Sequence, residues 1–105
     1  MSIKEQFGKR LRELRTGKNI TQEKLSEAIG IQPENYSRIE NGLSFPKPEN
    51  IEKIALILGV DTKELFEFDH FSDFNLIKER LTKKLTSDED TARLIYKFLK
   101  SIGKL

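Results

Sequence analysis

The chain has 105 residues, with 19 basic and 17 acidic side chains for a net charge of +2, one histidine and no cysteine. Such a length accommodates one small domain, alone or with an appendage, and the lack of thiols excludes disulfides and thiolate metal sites and fits a reducing, cytoplasmic setting. No apolar run approaches the roughly 18 residues of a membrane span, and the charged, amphipathic start does not read as an export signal.

The first periodic stretch predicts a helix from near Ile3 to Thr16. Phe7, Leu11 and Leu14 fall at i, i+4 and i+7 as a core stripe, and Gly17 and Asn19 end it. From Met1 to Lys24 seven basic side chains stand against three acidic ones. That start suits a position beside a phosphate backbone; a solvated helix with local ion pairs is the alternative for Lys4, Lys9 and Arg12.

Two short helices follow, joined by a tight turn. Thr21 caps the first, Glu23 places negative charge at its positive end, and Leu25, Ala28 and Ile29 form its apolar stripe. Gly30 ends it, because glycine enters the left-handed conformation at little steric cost. Pro33 suits the first position of the next helix, which needs no N–H there. Tyr36 and Ile39 point inward and Gly42 is the stop. Helix, glycine-containing turn and helix together describe a helix-turn-helix. On the second of these helices Glu34, Ser37, Arg38 and Asn41 cluster away from the buried pair, with Asn35 on one flank and Glu40 on the other. A face of short polar groups and one arginine is what a helix entering the major groove needs. Arginine donates two bonds to guanine, asparagine reads adenine, glutamate accepts from cytosine, and serine is adaptable. For a nine-residue helix in isolation, a solvated surface explains the same pattern.

Leu43 to Lys47 reads as a loop, with Phe45 plugging the core and Lys47 placed to reach a phosphate. Pro46 and Pro48 stiffen it, Pro48 opening a fourth helix on which Ile51, Ile54, Ala55 and Leu58 line one side before Gly59. Asp61 with Glu64 reads as a capping box starting a short fifth helix with Leu65 and Phe66. The lone His70 sits among linker residues and needs no ligand role. Beyond it Phe74, Ile77, Leu81 and Leu85 repeat at helical spacing; Ser87 with Asp90 resembles a second capping box; and Ala92, Leu94, Ile95, Phe98, Leu99 and Ile102 give the last helix a broad apolar stripe. These features predict a two-helix hairpin turning at Thr86–Ser87.

The residues FGKRLRELR, ITQEKLSEAIGI, YSRIENG and FPKPENIEKIALILGVDTKELF resemble the Cro/C1-type (XRE) helix-turn-helix domain of bacterial and phage repressors. The resemblance spans Phe7 to Phe68, about two-thirds of the chain. The Thr-Gln-x-x-Leu opening, the Gly-Ile turn and the Ile-Glu-Asn-Gly ending are specific together, whereas each alone is weak. It implies an all-α fold: a five-helix, lambda-repressor-like DNA-binding domain over 1–68, then a helical hairpin over 69–105, similar to short SinR-type regulators whose hairpin multimerises. It implies a partly buried salt bridge between Arg15 and Glu40, against the alternative of two independent surface charges, and a phosphate contact at Gln22. Pro33 departs from the family, occupying a place where many relatives carry a base-contacting side chain; this shifts the readout to Gln32, Glu34, Ser37 and Arg38, beside Asn35 and Asn41.

The function so implied is a sequence-specific, double-stranded-DNA-binding transcriptional regulator. It would act as a dimeric repressor or autoregulator blocking a promoter at a two-half-site operator, with Phe74, Ile77, Leu81, Leu94, Ile95, Phe98, Leu99 and Ile102 in the dimer contact. The alternative is an antitoxin that binds both operator DNA and a toxin; a regulatory protein partner is compatible with either. An enzyme has little support. There is no glycine-rich phosphate loop or metal-ligand motif, helix surfaces and caps account for Glu49, Glu52 and Glu64, and no cofactor or metal is implied.

Overall fold

The structure, a computed structural model, describes all 105 residues. It contains only helices: α1 (Ile3–Gly17), α2 (Gln22–Ile29), α3 (Pro33–Glu40), α4 (Pro48–Leu58), 3-10 segments at Thr62–Phe66 and Asp69–Phe71, α5 (Phe74–Ser87) and α6 (Glu89–Ser101). These form two compact units, Met1–Phe71 and Ser72–Leu105.

In the first unit α1 starts at a reciprocal cap. The Ser2 hydroxyl accepts from the Glu5 N–H at 3.2 Å, and the Glu5 carboxylate accepts from the Ser2 N–H at 3.3 Å. Thr21 caps α2 in the same sense, accepting from the Lys24 N–H at 3.1 Å. Gly30 closes α2 at φ +91°, letting the amides of Gly30 and Ile31 both reach the Ser26 carbonyl. The core is Phe7, Leu11, Leu25, Ile29, Tyr36, Ile39, Ile54, Ala55, Leu58 and Leu65, contributed by all four α-helices and the first 3-10 segment. Gly8 lies where α1 crosses the end of α3, so close that a Cβ there would collide with the carbonyl oxygens of Ile39 and Glu40.

Several expectations are corrected. Ala28 is exposed, and Ser26, on the other flank of the Leu25–Ile29 stripe, is buried; its hydroxyl donates to the Glu23 carbonyl at 2.8 Å, so the polar group enters the interior satisfied. The short fifth helix is a 3-10 segment. Phe45 lids the core rather than filling it: its ring stands 4.9 Å from that of buried Phe7 yet is 38% exposed. The first unit also runs three residues past the expected division after Phe68. His70 Nε2 lies 2.7 Å from Glu13 on α1, Phe71 stacks on Phe68, and the Lys9 ammonium sits 4.6 Å from the Phe71 ring centroid. At Glu13 partial burial works to raise the pKa, but the hydrogen bonds and charges of His70 and Arg10 prevail and lower it.

In the second unit α5 and α6 pack on each other across a single residue, Asp88. The turn is therefore not at Thr86–Ser87, and Ser87 is not the cap. Both residues remain in α5, bonding their hydroxyls back to carbonyls of that helix. Asp88 is the cap: its carboxylate accepts from the Thr91 N–H at 3.0 Å and pairs with Lys84 at 3.0 Å. These partners, the Thr91 amide first, depress its pKa from 3.8 to about 2.

Candidate nucleic-acid interface

The candidate site is the outer face of α3. Tyr36, Ile39 and Glu40 are buried, so helical phase turns Glu34, Arg38 and Asn41 to solvent with Asn35 and Ser37 beside them. Gln32 is the N-cap residue but makes no side-chain cap bond, and its exposed amide is free. Pro33 occupies the first helical position. Asn41 donates weakly to Ser37 at 3.4 Å. Arg38 is exposed and belongs to no ion pair. Lys47, the N-cap residue of α4, is exposed as well. Gln32, Glu34, Asn35, Arg38 and Asn41 therefore share one exposed surface, with Ser37 half-buried at its edge.

Behind that surface three helices meet at a buried polar cluster. The Arg15 guanidinium of α1 donates to both carboxylate oxygens of Glu40 at 2.7 and 3.1 Å, and to the Ile20 carbonyl at 2.7 Å. The Glu40 side chain is 1% exposed. Its hydrogen bond raises the arginine pKa above its ordinary value against the opposing effect of burial. Gln22, from the start of α2, donates its amide to the same carboxylate at 3.1 Å. One of the two Gln22 amide hydrogens is thus committed inside the protein, and only the other is free to meet a phosphate. The Tyr36 hydroxyl lies buried beside the cluster without a hydrogen-bond partner. Burial first, and the nearby Glu40 carboxylate second, push its pKa far up. The arrangement holds α3 at both its inner face and its C-terminal end while leaving its outer side chains unengaged.

Sequence reasoning missed the Gln22–Glu40 bond, whose partners are eighteen residues apart, and the close crossing at Gly8. A signal for the second was present: a glycine inside an amphipathic helix costs about 1 kcal/mol against alanine and implies a packing reason. The hairpin residues divide. Ile77, Ile95 and Leu99 are half-buried, while Phe74, Leu81, Leu94, Phe98 and Ile102 are exposed.

Comparison with known proteins gives three likenesses of use, besides a match of residues 8–67 to a helix-turn-helix domain profile. The transcriptional repressor RstR of the cryptic phage CTXphi of Vibrio cholerae serotype O1 is 32% identical over 102 residues, 97% of this chain and 88% of RstR. The crystal structure of the restriction-modification controller protein C.AhdI of Aeromonas hydrophila is 38% identical, with a TM-score of 0.56 over 58% of this chain and 92% of that one. The SinR protein/SinI protein complex is alike in fold, at 22% identity and a TM-score of 0.57, over 94% of this chain and 99% of that one.

Proposed function

The chain belongs to the helix-turn-helix domain family of transcriptional regulators, and we propose that it is a sequence-specific binder of double-stranded DNA that acts as a dimeric repressor or autoregulator. The observation that carries this reading is α3. Its inner face is locked by Tyr36, Ile39 and the Arg15–Glu40 pair, and its outer face offers Gln32, Glu34, Asn35, Ser37, Arg38 and Asn41. Such a helix enters the major groove with side chains that discriminate base edges. Gln22 and Lys47 flank it as phosphate contacts, which set register and orientation. Repression is steric, two copies of α3 occupying successive major grooves about one helical turn apart and excluding the transcription machinery.

Selection of bound duplexes from a random-sequence pool, read by sequencing, tests the proposal. The expected outcome is one enriched motif built of two related half-sites. Enrichment of a single half-site would remove the dimer from the reading, and no enrichment over random duplex would remove sequence-specific recognition.

A further inference from the structure

The segment that meets DNA in this reading has the wrong charge for the task. Between Thr21 and Gly42 stand Glu23, Glu27, Glu34 and Glu40 against Lys24 and Arg38 alone. The first unit, Met1–Phe71, holds eleven basic and twelve acidic side chains. A duplex carries one negative charge per about 1.7 Å of axis, and release of its counterions by basic groups supplies much of protein–DNA affinity. In the first unit the basic start, Met1–Lys24, is offset by nine acidic against four basic side chains from Leu25 to Phe71, whereas Ser72–Leu105 is basic as a whole, with eight basic and five acidic side chains.

Most of that excess is on α5, where Lys78, Arg80, Lys83 and Lys84 stand against Glu79; α6 carries fewer basic groups, against Glu89 and Asp90 in its first turn, but they are ordered. Arg93, Lys97 and Lys100 recur at i, i+4 and i+7, a single exposed face. The opposite face holds Leu94, Ile95, Phe98 and Leu99. Arg93 is engaged by Glu89 at 2.7 and 3.1 Å, whereas Lys97 and Lys100 belong to no ion pair. Tyr96 is 55% exposed next to them, the Lys100 ammonium 5.8 Å from its ring centroid. We propose that this face of α6, with Lys97 and Lys100 as its free cations, is a second and sequence-independent contact for DNA phosphates, providing attraction that the acidic helix-turn-helix segment lacks. The inference rests on the reading of the chain as a DNA-binding regulator. Because the lysines lie opposite the apolar residues, the face stays open when a second copy covers those residues, and a dimer presents it twice.

The test compares two double variants of the full chain with the same loss of charge: Lys97→Gln with Lys100→Gln, and, as control, Lys53→Gln with Lys63→Gln on the first unit. Binding to the selected duplex and to a random duplex of equal length is followed against salt. The α6 variant is expected to lower the slope of log affinity against log salt by about 1.8, from about 0.9 for each lost phosphate contact. It should weaken both duplexes by the same factor and sediment like the wild type, while the control keeps the wild-type slope. An unchanged slope, an equal fall in the control, or loss of self-association in the α6 variant overturns the proposal. So does wild-type binding to anionic phospholipid vesicles that the α6 variant loses while its DNA slope stays unchanged. If the wild type binds no duplex, the regulator reading fails; if it binds and only the slope is unmoved, this inference alone fails.

Discussion

Arg38 is the one long cationic side chain on the outer face of α3, exposed and free of any carboxylate. Arg38→Ala is expected to reduce discrimination between the selected site and its single-base variants by about 1–3 kcal/mol, the value of one bidentate base contact. Lys47→Ala should instead weaken all sequences alike and flatten the salt dependence. If Arg38→Ala weakens every site equally and leaves preference intact, Arg38 touches the backbone and the assignment is wrong. Gly8 is decided by competing magnitudes. Alanine has the better helix propensity, by about 1 kcal/mol. Against that, its methyl has no room between α1 and the carbonyls of Ile39 and Glu40, and overpacking costs typically about 1–3 kcal/mol. Gly8→Ala is therefore expected to lower the urea midpoint, and a raised midpoint would show that the helices can separate freely. At this scale exposure was legible wherever helical phase controls it, as at Arg38 and Asn41. It was not legible at Ala28 and Ser26, where a hydroxyl satisfied by its own helix made burial of the polar residue tolerable.

Individual helices were read from their periodicity and stops, because caps and apolar stripes are local. The joints between them were less legible. A 3-10 segment and an α-helix share the same short apolar signal at Leu65–Phe66, and serine and aspartate are about equally good caps, so cap type alone did not tell Ser87 from Asp88, which also pairs with Lys84. Two predictions belong to these joints. Arg15 and Glu40 join α1 to α3 through two hydrogen bonds shielded from water, so removing one partner strands a buried charge and costs more than removing both. A double-mutant cycle on urea unfolding should give a coupling energy of about 1–3 kcal/mol; a value near zero would mean that the pair holds nothing. The Asp88 cap is pH-dependent. Its pKa is depressed when folded, so its contribution is complete above the ordinary value of 3.8 and is lost as pH falls toward about 2. The wild type should lose helical circular dichroism across that window by more than Asp88→Ala does, and identical acid profiles would show that the cap does not support the hairpin.

At the scale of the whole molecule, the question is what covers the second unit. Neither α5 nor α6 contains a buried residue. Phe74 is 72% exposed, Leu94 67% and Phe98 58%, and burying one such side chain stabilises by about 1.5–3 kcal/mol. Two short helices bury too little surface to be stable alone, so the exposed residues on this hairpin suit a second copy of the chain, and two-fold dimers are the commonest closed arrangement. This part of the architecture was the least legible, because periodicity gives a stripe's width but not its partner: Ile77, Ile95 and Leu99 turn toward the hairpin's own interior and Phe74, Leu94 and Phe98 do not. Cutting the chain after Phe71, where the first unit ends with His70 and Phe71 still clasped to α1, separates the roles. The shortened chain keeps all of its core, Phe7 through Leu65. It is expected to remain helical and cooperatively folded, to sediment as a monomer, to bind one half-site more weakly than the full chain because the α6 lysines are gone, and to lose most of its affinity for the paired site. The full chain should sediment as a dimer at the same concentration. Should the full chain itself be monomeric, or the shortened chain unfold, the hairpin would belong to the stability of its own chain and the two-half-site mechanism would lose its structural basis.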